Sequence, residues 1–189
     1  MLITIQHLIE RVGNVGTAWH EDFIFQLGSL VRPKVYVELG LFHCGLFNRM
    51  DSVADQLIGV DINADAGNYM KNSAKAQFFH GTTQEFAKEL EIHPLQIDML
   101  FIDANHAKDA VLQDFRDFFP FVAPHGLILL HDTHPADESM MHPALCETAY
   151  QAIEELSKDT ESYELMTIPI SPGLTICRKR KMQLSWHEK

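Results

Sequence analysis

Basic charge, paired cysteines and long apolar runs are all scarce in this sequence. Its 189 residues hold 15 Lys and Arg against 26 Asp and Glu, a net charge of -11. Nucleic-acid binding needs a basic footprint, so this balance argues against a nucleic-acid partner. The one basic cluster, Arg178-Lys179-Arg180-Lys181, follows the last predicted strand and reads as a solvated terminus. The three cysteines, Cys44, Cys146 and Cys177, are far apart and odd in number, and no Cys-x-x-Cys pair occurs. That excludes a disulfide framework, argues against structural zinc, and predicts reduced thiols in a cytoplasmic protein. No apolar run approaches the ~20 residues of a membrane span. The first residues, MLITIQHLIERVG, carry an acid and no small-residue cleavage site, unlike a signal peptide.

What is present is ordinary for a globular domain: 46% hydrophobic and 22% charged residues. The length suits one domain with a real core, here read as a helical cover over 1–30, a core over 31–180 and a tail over 181–189. Apolar runs predict strands at Val35–Glu38, Leu57–Asp61, Ala76–His80, Asp98–Asp103, Gly126–His131, Tyr163–Ile168 and Leu174–Arg178. Helix-compatible stretches lie between them at Leu46–Ala54, Ala64–Ser73, Gln84–Leu90, Ala107–Val122 and Met140–Ser157. Ile3–Val12 and Trp19–Leu30 predict one or two more helices, covering a sheet edge or the cleft. Strands alternating with helices predict an α/β, Rossmann-like doubly wound sheet with helices on both faces. Pro169 and Ser171-Pro172-Gly173 separate the last two strands without room for a helix, so the seventh strand is expected to be antiparallel.

The segment Val35–Gly45, VYVELGLFHCG, is a strand that runs through Glu38 into a loop with Gly40 and Gly45. The next strand ends on Asp61. A glycine loop after the first strand and a carboxylate at the tip of the second are how such sheets hold an adenosine-type cofactor. The dinucleotide pattern Gly-x-Gly-x-x-Gly is absent, and Phe42 stands where its second glycine belongs. Tyr-x-x-x-Lys is absent too, which argues against a nicotinamide-dependent oxidoreductase. Glu38 would repel a phosphate and suit a cationic ligand. This loop resembles the first motif of the class I S-adenosylmethionine-dependent methyltransferases. The resemblance implies a cofactor site of Glu38, Gly40, Leu41, Phe42, Gly45, Asp61, Ile62, Thr82 and Asp103, in a sheet of seven strands.

A second constellation lies in DMLFIDANHAKDAVLQDFRDFFPFVAPHGLILLHDTHP, from Asp98 to Pro135. Two neighbouring strands bring Asp103, His106, His131, Asp132 and His134 to one carboxyl edge, where ligands of open α/β sheets bind. The segment is similar to the macrocin-type and cephalosporin-pathway O-methyltransferases, whose pattern is roughly phi-I-D-G-D-H-x-Y, a helix, then K-P-G-G-phi-phi-phi-x-H-D. Carried over, Asp103 and Asp132 are metal ligands, His131 lies where relatives have histidine or an acid, and His106 is the general base. Mg²⁺ would suit the carboxylates with Asn105, and the histidines would suit a transition metal. This chain departs from the pattern at Ala104, Asn105, Ala107-Lys108 and His125, and Asn105 removes one carboxylate.

Bland roles stand beside these. Asp103 and Asp132 could cap the following helix or turn, His106 could pack on that helix, and Thr82 could cap the next one. Trp19 and His20 either help to close the cleft or belong to a packed edge helix. The expected activity is methylation of a small-molecule hydroxyl, with a divalent metal such as Mg²⁺ assisting. A silent cofactor-binding domain is the alternative, and a metal-dependent hydrolase would leave Glu38 and Asp61 unexplained. The N-terminal helix is a candidate homodimer interface or a cover for the sheet.

Overall fold

The computed structural model describes residues 18–180. The predicted helix Ile3–Val12, its proposed role as cover or dimer surface, and the tail over 181–189 lie outside the described residues. In chain order the elements are α1 (Trp19–Val31), β1 (Val35–Leu39), α2 (Gly45–Met50), β2 (Gln56–Asp61) and β3 (Ala76–His80). There follow α3 (Thr83–Ile92), β4 (Ile97–Ile102), α4 (Lys108–Phe118), β5 (Val122–His131), α5 (Ala149–Leu156), β6 (Tyr163–Ile168) and β7 (Leu174–Lys179). Among the described residues no helix is long and apolar enough to cross a membrane.

The seven strands form one sheet in the order β3-β2-β1-β4-β5-β7-β6. β7 runs antiparallel to both its neighbours, and the other pairings are parallel. This is the Rossmann-like doubly wound sheet that the alternation predicts. All five residues of β1 are buried, as a central parallel strand requires. Alternate side chains serve opposite faces. Val35, Val37 and Leu39 join the core under α3, α4 and α5, whereas Tyr36 joins the one under α1 and α2. Successive strands step away from β1 on one side and return on the other at β4. The crevice between β1 and β4 is therefore the topological switch point.

Four predicted helices prove shorter, and in place of Leu46–Ala54 the helix α2 ends at Met50. Met140–Ser157 resolves into a 3-10 turn at Glu138–Met141 and α5, which starts only at Ala149. Pro143 disfavours helix at the residue before it, and His142 is accordingly extended at φ -65, ψ 142. Glu147 then adopts a left-handed φ of 45. Ala64–Ser73 forms only a 3-10 turn at Ala64–Tyr69, capped by the Asn63 side chain on the Asp65 N–H. Helix α4 stops at Phe118, and a 3-10 turn containing Pro120 leads into β5.

Candidate active site

The loop after β1 turns sharply. Gly40 lies at φ 86, and Phe42 and Cys44 are left-handed at φ 47 and 55. A Cβ on Gly40 would stand 2.2 Å from the Asp103 carbonyl oxygen, so the loops after β1 and β4 can touch only through a glycine. Asp61, at the tip of β2, ties this loop down. One carboxylate oxygen accepts from the N–H of Leu41 at 2.8 Å and of Phe42 at 3.3 Å, and the other from the N–H of Asn63 at 2.8 Å.

A cleft of about 980 Å³ opens above the switch point. Of the residues expected at a cofactor site, Gly40, Phe42, Asp61, Ile62, Thr82 and Asp103 line it. At its other end stand Asn105, His106, His131 and Asp132. Three predicted cofactor residues do not line it. Glu38 is 3% exposed and accepts the Tyr36 hydroxyl at 2.5 Å. Burial raises its carboxyl well above the ordinary range, outweighing the hydrogen bond from Tyr36. Leu41 is buried against Gly59, and Gly45 faces the Glu21 carboxylate. Thr82 combines both readings offered for it: it lines the cleft and closes a capping box with Glu85 at the start of α3.

This other end of the cleft is a web of carboxylates and imidazoles. His106 Nδ1 faces Asp132 Oδ2 at 2.9 Å, and its Nε2 lies 3.4 Å from Asp103 Oδ1. Its Nδ1 also meets the Leu145 carbonyl. The turn that replaces the first half of the predicted last helix thus folds over His106. Burial alone would favour a neutral His106 ring, but hydrogen bonds and charge from Asp103 and Asp132 raise it to about 11. In this arrangement His106 holds its proton. Asp103 shows the converse: burial opposes its charge, yet His131 and His106 keep the carboxyl below the usual range. His131 Nδ1 stands 2.8 Å from Asp103 Oδ1 and 3.5 Å from Asp132 Oδ1. Asn105 turns back, its side-chain oxygen accepting the Ala107 N–H at 2.9 Å in the turn before α4. His134 is exposed and stays out of the cluster, its backbone N–H bonded to the Pro172 carbonyl.

Two polar residues outside the predicted site set adjoin it, one of them His20, for which the sequence left cleft closure and edge-helix packing open. His20 is buried, with Nδ1 3.1 Å from His131 Nε2 and the two rings 3.9 Å apart. Asp114 of α4 lines the cleft near Thr82 and accepts Thr83 Oγ1 at 2.5 Å and Gln84 Nε2 at 3.1 Å. Both residues sit on apolar helix stripes: His20 in register with Ile24 and Gly28, Asp114 between Val111 and Phe118. A polar residue on such a stripe is the signal that could have found them.

A family model described as a methyltransferase domain matches residues 37–133, more than half of the chain. The chain belongs to this methyltransferase family. The match begins in β1 and ends just past Asp132, so it spans both halves of the cleft. An uncharacterised protein of Acanthamoeba polyphaga mimivirus is 32% identical over 112 residues, 51% of this chain and 50% of that protein. The chain thus matches only about half the length of this curated relative. Among solved structures, an O-methyltransferase from Bacillus cereus in complex with SAH superposes with a TM-score of 0.69 at 12% identity, over 95% of this chain and 94% of that one. An SAH-bound methyltransferase from Podospora anserina gives 0.66 at 14% identity, over 86% and 78%. At such identities the likeness establishes the shared methyltransferase fold.

Proposed function

We propose that this methyltransferase uses S-adenosylmethionine and transfers its methyl group to a hydroxyl of a small molecule, with a divalent cation assisting. One observation carries the reading. The Asp61-braced glycine loop and the Asp103–His106–His131–Asp132 cluster open into the same cleft, one as donor half and the other as acceptor half. The SAH in the Bacillus cereus and Podospora anserina structures supports the choice of cofactor. The net charge of -11 supports a small acceptor over a nucleic acid. The three cysteines are buried and unpaired, which supports a reducing compartment such as the cytoplasm.

Methyl transfer from a sulfonium is an in-line displacement, so the protein must align the acceptor oxygen and take its proton. Asp103, Asp132 and His131 are the residues that would hold the cation, with the carboxylates supplying the oxygen ligands that Mg²⁺ prefers. When bound, such a cation lowers the pKa of a coordinated hydroxyl. A cation held there would offset the Asp103 and Asp132 charges that keep the proton on His106, and would leave its ring nitrogen available as the base.

A second reading, binding without turnover, draws support from Asn105, whose side-chain oxygen already accepts the Ala107 N–H in the turn before α4. Calorimetric titration with S-adenosylhomocysteine, followed by a methyl-acceptor screen, separates the two. Micromolar binding lost in Asp61→Ala, together with turnover of any hydroxyl acceptor, supports the enzyme. Binding without turnover across the panel supports the silent domain, and no binding overturns both.

A further inference from the structure

We infer that His20 of α1, together with His131 and Asp103, forms a nitrogen-rich cation site selective for late first-row divalent metals such as Zn²⁺ or Co²⁺. The inference rests on the reading that a divalent cation serves this cleft, and it names the class of that cation and a ligand from a different part of the chain.

Asp103 belongs to two candidate ligand sets, one with His106 and Asp132 and the other with His20 and His131. In each set the donor atoms lie within 4.8 Å of one another. The first set offers two carboxylates and one imidazole, the second one carboxylate and two imidazoles. Imidazole nitrogen favours zinc, cobalt, nickel and copper, whereas magnesium keeps to oxygen and water.

The second set also has suitable geometry. A tetrahedral cation bonded to its ligands at ~2.0–2.1 Å holds neighbouring donors about 3.3 Å apart. His20 Nδ1 and His131 Nε2 lie 3.1 Å apart, close to that separation. His131 then uses both ring nitrogens: Nε2 faces His20, and Nδ1 faces the Asp103 and Asp132 carboxylates at 2.8 and 3.5 Å. With Asp103 counted among the ligands, Asp132 is the carboxylate left behind the His131 ring, where such a group helps to fix the tautomer and orient the ring. The Trp19 indole N–H donates to the Ser171 carbonyl at 3.0 Å and anchors the start of α1 beside the sheet edge. Ile24 and Gly28 bury the same stripe of the helix, and a Cβ on Gly28 would meet Met50 Cε at 2.6 Å. Helix α1 therefore packs closely enough to hold His20 in place.

The test uses the full chain after chelator treatment, with Co²⁺ as a spectroscopic probe. We expect one equivalent of Co²⁺ to give a visible ligand-field band that Zn²⁺ displaces and a large excess of Mg²⁺ does not. His20→Gln should weaken Co²⁺ binding about tenfold or more while leaving S-adenosylhomocysteine binding intact. In the unsubstituted chain, Zn²⁺ should shift the ring ¹⁵N resonances of both His20 and His131. That measurement keeps the test open if the variant fails to fold. Unchanged Co²⁺ affinity in a folded His20→Gln, effective competition by Mg²⁺, or unshifted His20 resonances each overturn the inference. If the parent protein binds Co²⁺ as expected but no S-adenosylhomocysteine, the methyl-donor reading falls and the cation site stands.

Discussion

The Asp61 carboxylate accepts the Leu41 backbone N–H at 2.8 Å across twenty residues of chain, fastening the tip of β2 to the loop after β1. The acid expected to receive a ribose therefore also holds the glycine loop in shape. Asp61→Ala leaves three backbone N–H groups without that acceptor. The expected loss is about 1–3 kcal/mol of stability, measured by urea unfolding. S-adenosylhomocysteine affinity should fall with it by more than about tenfold, and Asp61→Asn, which keeps one acceptor oxygen, should recover part of both.

Gly40→Ala puts a methyl group 2.2 Å from the Asp103 carbonyl at a φ of +86. Backbone lies on the far side, so no side-chain rotation relieves the clash. The variant should lose more than about 2 kcal/mol in denaturant melts, and its cleft should no longer bind S-adenosylhomocysteine.

Asp114 makes stability depend on pH. Burial raises its carboxyl from an ordinary 3.8 to about 6, against the opposing hydrogen bond from Thr83. The folded state therefore prefers the protonated form. Its penalty is absent below 3.8, grows as the pH rises to about 6, and is complete above that. One pKa unit is worth about 1.4 kcal/mol, so the whole effect is on the order of 3 kcal/mol. Asp114→Asn should raise the melting temperature relative to the parent at pH ~7.5 and change it little at pH ~4. Equal differences at the two pH values would contradict this.

His106 should be an imidazolium well above neutrality in chelator-treated protein, which ring ¹⁵N shifts report directly. Burial opposes the charge, but Asp103 and Asp132 raise the ring from 6.5 to about 11. Its contribution to stability is complete below 6.5 and fades as pH rises toward about 11. Asp132→Asn should bring the titration back toward the ordinary histidine range and remove part of that alkaline-side dependence.

Much of this was legible in the sequence because it lies at strand ends. Asp61, Asp103, His131 and Asp132 each sit at the carboxyl end of a strand or one step beyond it, and apolar runs mark those ends clearly. Helix lengths were less legible. Pro143 and the left-handed Glu147 break the span that Ala149, Ile153 and Leu156 suggest is a single helix. The glycine loop was legible in outline, but Glu38 reads the same whether it faces a ligand or, as here, its own Tyr36. His20 was hardest to assign, since its partner His131 lies 111 residues away and no local spacing records that. Only its place in an apolar stripe marks it, and a packed histidine leaves the same mark.

The Trp19 indole reaches a carbonyl made 152 residues later. At ~5–20 residues per second of synthesis, Ser171 follows Trp19 by on the order of ten seconds. The glycine loop and the first four strands can assemble during that interval. The Trp19 hydrogen bond can form only when the closing hairpin leaves the ribosome, whereas the Ile24 and Gly28 stripe of α1 can already pack beside Met50. A nascent chain halted short of the hairpin thus carries the glycine loop and His131 but lacks the acceptor of the Trp19 indole.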